Sequence, residues 1–168
     1  MSVKADIRAS ITGYYQRAAD LGTAKFDLPI ENILQLNPGT GAKQADRLFT
    51  GARTIAASAN DDIDLAGALA DPFGATLTFA KVCAIFIRAA ATNANDLVVG
   101  GHPTAAFMGP FADASDKIIL KPGAMYLQAD ATAAGWAVTA ATADTLRIAN
   151  GGAGSVVKYD LVIIGRSA

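Results

Sequence analysis

The sequence is poor in the side chains that most enzyme and metal sites require. Its 168 residues include one histidine, one cysteine and one tryptophan. A single histidine excludes metal centres built from several imidazoles, and a single cysteine excludes disulfides within one chain. Cys83 lies in an apolar run, where we expect a buried, unreactive thiol. The inventory predicts a protein that is not an enzyme, with no catalytic residues, no cofactor and no metal.

Charge is also sparse, and neither sign dominates. Charged residues make up 17% of the chain, with 14 Lys and Arg against 15 Asp and Glu, so the formal net charge is −1. Without a basic patch, nucleic-acid binding is not expected as the main role. Hydrophobic residues reach 52%, and many of them are alanine. This composition either reflects a compositional bias alone or indicates an outer surface that is buried in an assembly.

Two kinds of long apolar segment are missing as well. Residues 1–10 lack the apolar run of a signal peptide, and no stretch approaches the about 18 uninterrupted apolar residues of a membrane span. We therefore expect a protein that is made in the cytoplasm and does not enter a membrane.

What the chain does contain is a series of short strand patterns. Residues 82–87 are β-branched and aromatic, residues 92–96 are turn-forming, and residues 97–99 are again β-forming, which predicts a central hairpin. Residues 117–120 and 125–127 predict a second hairpin around Pro122-Gly123, a dipeptide that suits a type II turn.

The last strand, residues 156–164, is long and apolar, so we predict that it is central, because an exposed edge of this kind invites aggregation. About eight to ten strands at this spacing, without βαβ alternation, predict an all-β fold. The specific prediction is a two-sheet antiparallel β-sandwich of jelly-roll type in one domain, residues 19–168.

The N-terminal segment, residues 1–18, is predicted separately. Its apolar residues fit either a helical stripe or a strand, and Gly13 with the two tyrosines after it favours a strand. Such a segment is either an arm that reaches a neighbour or an edge strand of the core. In the segment that follows, Pro29 favours an edge position, since proline cannot donate to a ladder.

Four groups of residues are candidate sites. His102 lies in a loop beside Pro103 and lacks an evident nucleophile to activate. Asp62 and Asp64 share one strand face next to Asp61, which suits a solvated face better than a Ca²⁺ site. The glycine-rich stretch 151–154 lacks the Lys-Ser/Thr of a phosphate loop. A sugar-stacking platform is the remaining candidate, although core packing is the more usual role of such aromatics; its members would be Trp136, Tyr126 and Tyr159.

Several segments together resemble small virion proteins of tailed bacteriophages and prophages. They are DLGTA at 20–24, NPGTGAKQADRLFTGARTIAASANDDIDLAG at 37–67, FGATLTFAKVCAIFIR at 73–88, VVGG at 98–101, KPGAMYLQ at 121–128 and YDLVIIG at 159–165. The resemblance implies a β-sandwich structural protein of the virion, on the capsid as a decoration or spike-base protein. The resemblance supplies no catalytic motif and does not distinguish a head protein from a tail protein.

The predicted function is therefore that of a non-enzymatic capsid decoration or cement protein that docks on the head lattice. Its expected partners are further copies of itself, with a trimer as one form, and the major capsid protein or other virion proteins. Two alternatives stay open at this point: a tail or head–tail connector component, and a carbohydrate-binding jelly-roll module for host recognition.

Overall fold

The computed structural model describes residues 2–67 and 69–168, and within them the chain is all β, with no helix. No helix in these residues could therefore cross a membrane. The strands are β1 Ala5–Ala19, β2 Gly22–Pro38, β3 Gln44–Ala45, β4 Arg47–Ile55, β5 Asn60–Asp64, β6 Leu69–Ala70, β7 Thr76–Leu77, β8 Lys81–Ala89, β9 Leu97–Gly100, β10 Lys117–Leu120, β11 Met125–Ala129, β12 Trp136–Ala137, β13 Thr145–Asn150 and β14 Val157–Arg166.

Two antiparallel sheets share one hydrophobic core. The larger has the order β11-β8-β14-β4, with the short β12 also paired to β8, and the smaller has the order β10-β9-β13-β5. In β13 the buried side chains alternate, as the period of two requires, whereas residues 82–85 of β8 and 163–166 of β14 are buried in succession. Ile85, Leu161 and Ile163 of the larger sheet belong to the same buried cluster as Val99 and Ile148 of the smaller one.

The central hairpin predicted at residues 82–99 does not exist, because its two strands belong to different sheets. β8 pairs with β11 and β14, and β9 pairs with β10 and β13. The connection, residues 90–96, is anchored at the end of both sheets. Asn93 exchanges two hydrogen bonds with the backbone of Lys158, and Asn95 donates to Asn150. The polar residues that predict a tight turn instead hold a crossover in place.

The second predicted hairpin is corrected in the same way. The turn itself is confirmed: Gly123 has φ +80° and the Ala124 amide donates to the Lys121 carbonyl at 2.9 Å. However, β10 before the turn pairs with β9, and β11 after it pairs with β8. Residues 121–124 therefore carry the chain from the smaller sheet to the larger one.

The prediction that the last strand is central is confirmed. β14 pairs with β4 on one side and with β8 on the other. Its register against β8 shifts between Ile164 and Gly165, and a Cβ at Gly165 would lie 2.2 Å from the Lys81 carbonyl oxygen. Glycine at this position therefore allows the two backbones to approach closely at the bulge.

The strand prediction for the N-terminal segment is also confirmed, and its partner is now visible. β1 pairs with β2 along its whole length, from Ala5 opposite Leu36 to Ala19 opposite Gly22. We call these two strands the ribbon. The predicted domain boundary at residue 18 falls just before the ribbon's turn. Within the described residues, β2 pairs beyond β1 only at Asn37 and Pro38, with β3, so Pro29 lies at a free edge as predicted.

Arg166, at the end of β14, is fully buried, and no ion pair joins it to a carboxylate in the described part of the chain. Its Nε donates to the Gln44 carbonyl at 2.9 Å and its Nη1 to the Ala133 carbonyl at 3.0 Å. Among the described residues, its Nη2 has no hydrogen-bond partner. The guanidinium therefore joins the β3 region and the loop before β12 to the last strand.

We expect Arg166→Met to lower the free energy of unfolding by about 2 kcal/mol, because methionine fills the space but leaves the two carbonyls without their donor. Urea unfolding followed by tryptophan fluorescence measures the change. The matched control is Arg88→Ala, which removes an exposed ion pair with Asp160 and should cost less than about 1 kcal/mol. Equal effects in the two variants would contradict this role for Arg166.

Candidate interaction surface

The ribbon is amphipathic. In an antiparallel pair, residues opposite each other project to the same face, and alternate pairs share that face. One face is therefore apolar along most of its length and is called the apolar face below; it comprises the pairs Ala5–Leu36, Ile7–Leu34, Ala9–Asn32, Ile11–Ile30, Gly13–Leu28, Tyr15–Phe26 and Arg17–Ala24.

The opposite face is polar, and most of its charged side chains are paired within the ribbon. Lys25 contacts Asp27 at 2.7 Å and lies over the ring of Tyr14, and Arg8 lies 3.6 Å from Asp6. Such exposed pairs add little stability, but they show that this face needs no partner to neutralise it. It suits contact with water.

Most of the ribbon is not covered by the rest of the chain. Every residue from 8 to 33 is exposed. On the apolar face, Tyr15 is 73% exposed, Phe26 65% and Ile11 63%. A two-stranded hairpin is marginally stable in water, and a continuous exposed apolar surface marks an interaction site. The ribbon therefore has the properties of a segment that is ordered by a partner.

The base of the ribbon is docked on its own domain. Leu36 is fully buried and Val3 nearly so, in a second hydrophobic cluster that includes Ala84 and Ile164 of the larger sheet. Ile7 and Leu34 pack partly against this cluster. The apolar face of the ribbon thus begins as a packed interface with the larger sheet and continues beyond the domain.

The outer face of the larger sheet is apolar next to this contact and polar farther away. Phe86, Val162 and Leu127 are neighbours on this face, and none of them is buried. At the far end of the sheet, Arg88 and Asp160 form an ion pair. Two adjoining depressions of about 200 and 290 Å³ lie between the ribbon base and this apolar half, and Ile7 and Leu127 line both of them.

The outer face of the smaller sheet is charged rather than apolar, and it includes Asp62 of the predicted acidic cluster. Asp62 accepts two hydrogen bonds of 2.7 Å from Arg147 on the neighbouring strand. These bonds lower the pKa of Asp62 against the opposing effect of burial. The His102 side chain is mostly buried in its loop, with Nε2 3.7 Å from Asp62, and its Nδ1 accepts from the Ala105 amide. Asp64 instead accepts from the Ala66 amide.

Asp61 lies in a separate cluster that joins the two sheets. Arg53 of β4 donates to both oxygens of the Asp61 carboxylate, at 2.5 and 2.8 Å, and the Tyr159 hydroxyl donates to it at 2.8 Å. Burial opposes the charge of Asp61, but the two donors outweigh it and the pKa is lowered. Burial and the bond to Asp61 raise the pKa of Tyr159.

The remaining predicted candidates have structural surroundings. Tyr159 is 2% exposed in the core, so it cannot join Trp136 and Tyr126 in an exposed platform, and those two side chains pack partly against the same core. Cys83 is buried as predicted, and burial raises the pKa of its thiol. The glycine-rich stretch 151–154 is the connection from β13 to β14, between the two sheets.

Sequence reasoning gave the segment around Pro29 an edge position but did not predict that it pairs with β1 along the whole ribbon. The signal was present, since Ala24, Phe26, Leu28 and Ile30 alternate with polar residues and Pro29. No local sequence pattern predicts the Arg53–Asp61–Tyr159 cluster. No family model, curated protein or solved structure matches the chain.

Proposed function

We propose that the protein is a non-enzymatic structural component of a tailed-bacteriophage virion, a decoration or cement protein that reinforces the head lattice through homo-oligomeric contacts. The observation that carries the assembly part of the proposal is the ribbon, whose apolar face extends past the domain without cover. The virion part rests on the resemblance of the sequence to small phage structural proteins.

A jelly-roll sandwich is part of the same proposal. A jelly roll arranges eight strands in two sheets so that most consecutive strands lie in opposite sheets. Here β4 and β5, β8 and β9, β10 and β11, and β13 and β14 each lie in different sheets, in the orders β4-β14-β8-β11 and β5-β13-β9-β10. This pattern supports the proposal and gives the ribbon a rigid domain from which to project.

The chemistry of the exposed surface favours binding by area and shape. The ribbon's apolar face has one charged residue, Arg17, near its end, and the chain as a whole has a formal net charge of only −1. Contacts of this kind gain affinity from burying apolar side chains in a well-packed centre. They suit a component that is held in a fixed place among many copies.

The proposal predicts that the protein is part of purified phage particles. Particles induced from the bacterium that encodes the chain should contain it in many copies, as quantified by mass spectrometry, and antibody labelling seen by electron microscopy should lie on the head. Labelling confined to the tail or the neck would favour the connector alternative. Absence from purified particles would overturn the proposal, whatever the oligomeric state of the isolated protein.

A further inference from the structure

We propose that the apolar face of the ribbon of one copy covers the outer apolar half of the larger sheet of a second copy. This inference rests on the proposed function, of which it specifies the partner surface. The chain has two exposed or partly exposed apolar surfaces, the apolar face of the ribbon and the outer apolar half of the larger sheet. The two surfaces already meet at the ribbon base.

The existing contact shows that the two surfaces fit each other. At the ribbon base, Leu36 and Ile7 already pack over Ala84 and Ile164 on the outer face of the larger sheet. In this contact, aliphatic side chains of the ribbon lie on small and branched side chains of the sheet. Beyond it, the sheet continues with the partly exposed Phe86, Val162 and Leu127, beside the base of the chain's own ribbon. The uncovered part of the ribbon continues with Ile11, Ile30 and Phe26.

A second copy is favoured over the chain's own ribbon because of length. The uncovered ribbon, from residue 9 to the turn, is about 35 Å long at about 3.4 Å per residue. Residues 8–33 are all exposed, so this part of the ribbon does not lie on its own domain. A ribbon of this length is sufficient to cross a neighbouring domain of similar size.

The order of chemistry along the two surfaces also matches. Going outward along the ribbon's apolar face, aliphatic and aromatic pairs are followed by Arg17 near the end. Going along the sheet from Ala84, apolar residues are followed by the Arg88–Asp160 pair. Arg17 of one copy would then lie at the polar end of the sheet, beside the Arg88–Asp160 pair.

The area of the contact is limited by the sheet. Its outward positions from Ala84 to Arg88 span about 13 Å along the strands and its four strands about 19 Å across, roughly 250 Å². Docking buries both sides of that contact, and a dimer with reciprocal exchange contains it twice, so the total is roughly 1,000 Å², the lower limit for a specific interface. The exchange also closes a symmetric assembly and leaves no ribbon uncovered.

Cysteine cross-linking tests the contact directly. Ile30→Cys and Phe86→Cys are made as separate variants with tags of different mass, mixed, and treated with a short bismaleimide. The unmodified chain is an unreactive background, since its single cysteine, Cys83, is buried. We expect a product that joins the two variants. The matched control is Glu31→Cys mixed with Phe86→Cys, since Glu31 is adjacent to Ile30 but lies on the polar face.

A surface substitution tests the energetic role of the same contact. Phe86→Asp should weaken self-association at least tenfold in analytical ultracentrifugation, with the melting temperature of the dissociated wild-type protein. The matched control is Ile119→Asp, an exposed apolar residue on the outer face of the smaller sheet, which should leave association unchanged. Each variant is checked for folding by circular dichroism before association is compared.

The outcomes separate this inference from the proposed function. A monomeric wild-type protein, or an oligomer whose ribbon positions cross-link only to each other, would overturn the docking of ribbon on sheet. Either result leaves the proposed virion role to be decided by the composition of particles. The docking would also be overturned if Glu31→Cys cross-linked as efficiently as Ile30→Cys, because the contact would then not depend on which face of the ribbon carries the cysteine.

Discussion

Replacing residues 10–31 with Asn-Gly should abolish self-association and leave the two main sheets folded. The expected result follows from the exposure of residues 8–33, which contribute no side chain to the buried clusters. The native turn, Asp20-Leu21, is flanked by the pair Ala19–Gly22. The new turn would be flanked by Ala9 and Asn32, an even number of residues farther down the ladder, so it keeps the same hydrogen-bonding frame, and Asn-Gly suits a two-residue hairpin turn.

Light scattering coupled to size-exclusion chromatography measures the mass, and thermal unfolding measures the stability of the domain. We expect a monomer whose melting temperature is that of the dissociated wild-type protein. The matched control changes the polar face instead: Thr12→Ser with Glu31→Gln keeps the full ribbon and should keep the assembly. An unchanged mass after the shortening would place the association surface elsewhere on the domain.

The position of the shortening depends on the structure and not on the predicted boundary. Deleting residues 1–18 would also remove Val3 and Ile7, which belong to or pack against the cluster at the ribbon base. It would leave β2 without a partner along most of its length. Loss of assembly in that deletion could not be separated from damage to the domain, whereas residues 10–31 lie outside the packed base.

The sequence predicts the strands of this fold far better than it predicts their pairing. Alternation and β-branched content report burial of one or both faces, which is a local property, so β8, β9 and β14 are recognisable. Pairing depends on which sheet receives each strand. Because β8 and β9 are adjacent in the chain, a hairpin is the natural prediction, but Asn93 and Asn95 hold the connection across the two sheets.

The candidate surface was predictable in part for the same reason. The alternation of Ile7, Ile11 and Tyr15 indicated a strand, and pairing with a similar alternation in residues 24–36 creates the apolar face. The partner half of the surface, around Phe86 and Val162, could not be predicted. A run of apolar residues in a central strand is expected to be covered on both faces, and only the structure shows that one face is open.

Asp61→Ala should be the most destabilising single change in the polar part of the core. The substitution leaves the Tyr159 hydroxyl, which is buried, and the partly buried guanidinium of Arg53 without their shared acceptor. Loss of one partner of such a group costs about 3 kcal/mol when the other charge keeps some access to water, which lowers the melting temperature of a domain of this size by roughly 6 to 12 °C. Urea unfolding at pH 7 measures the cost, and Asp62→Ala, on the exposed face, is the control expected to cost less than about 1 kcal/mol.

The same cluster makes the stability depend on pH, through Asp61 at acid pH and through Tyr159 at alkaline pH. The folded-state pKa of Asp61 is below its ordinary value of 3.8, so its contribution is complete above that pH and is lost as the pH falls through the lowered pKa. The pKa of Tyr159 is above its ordinary value of 10.0, so its contribution is complete below pH 10 and declines as the pH rises beyond it. Asp61→Asn should therefore flatten the acid limb of the stability profile, and Tyr159→Phe should flatten the alkaline limb. If neither limb changed in its variant, the link between the sheets would have to depend on apolar packing alone, and the coupling between Asp61 and Tyr159 in a double-mutant cycle would then be close to zero.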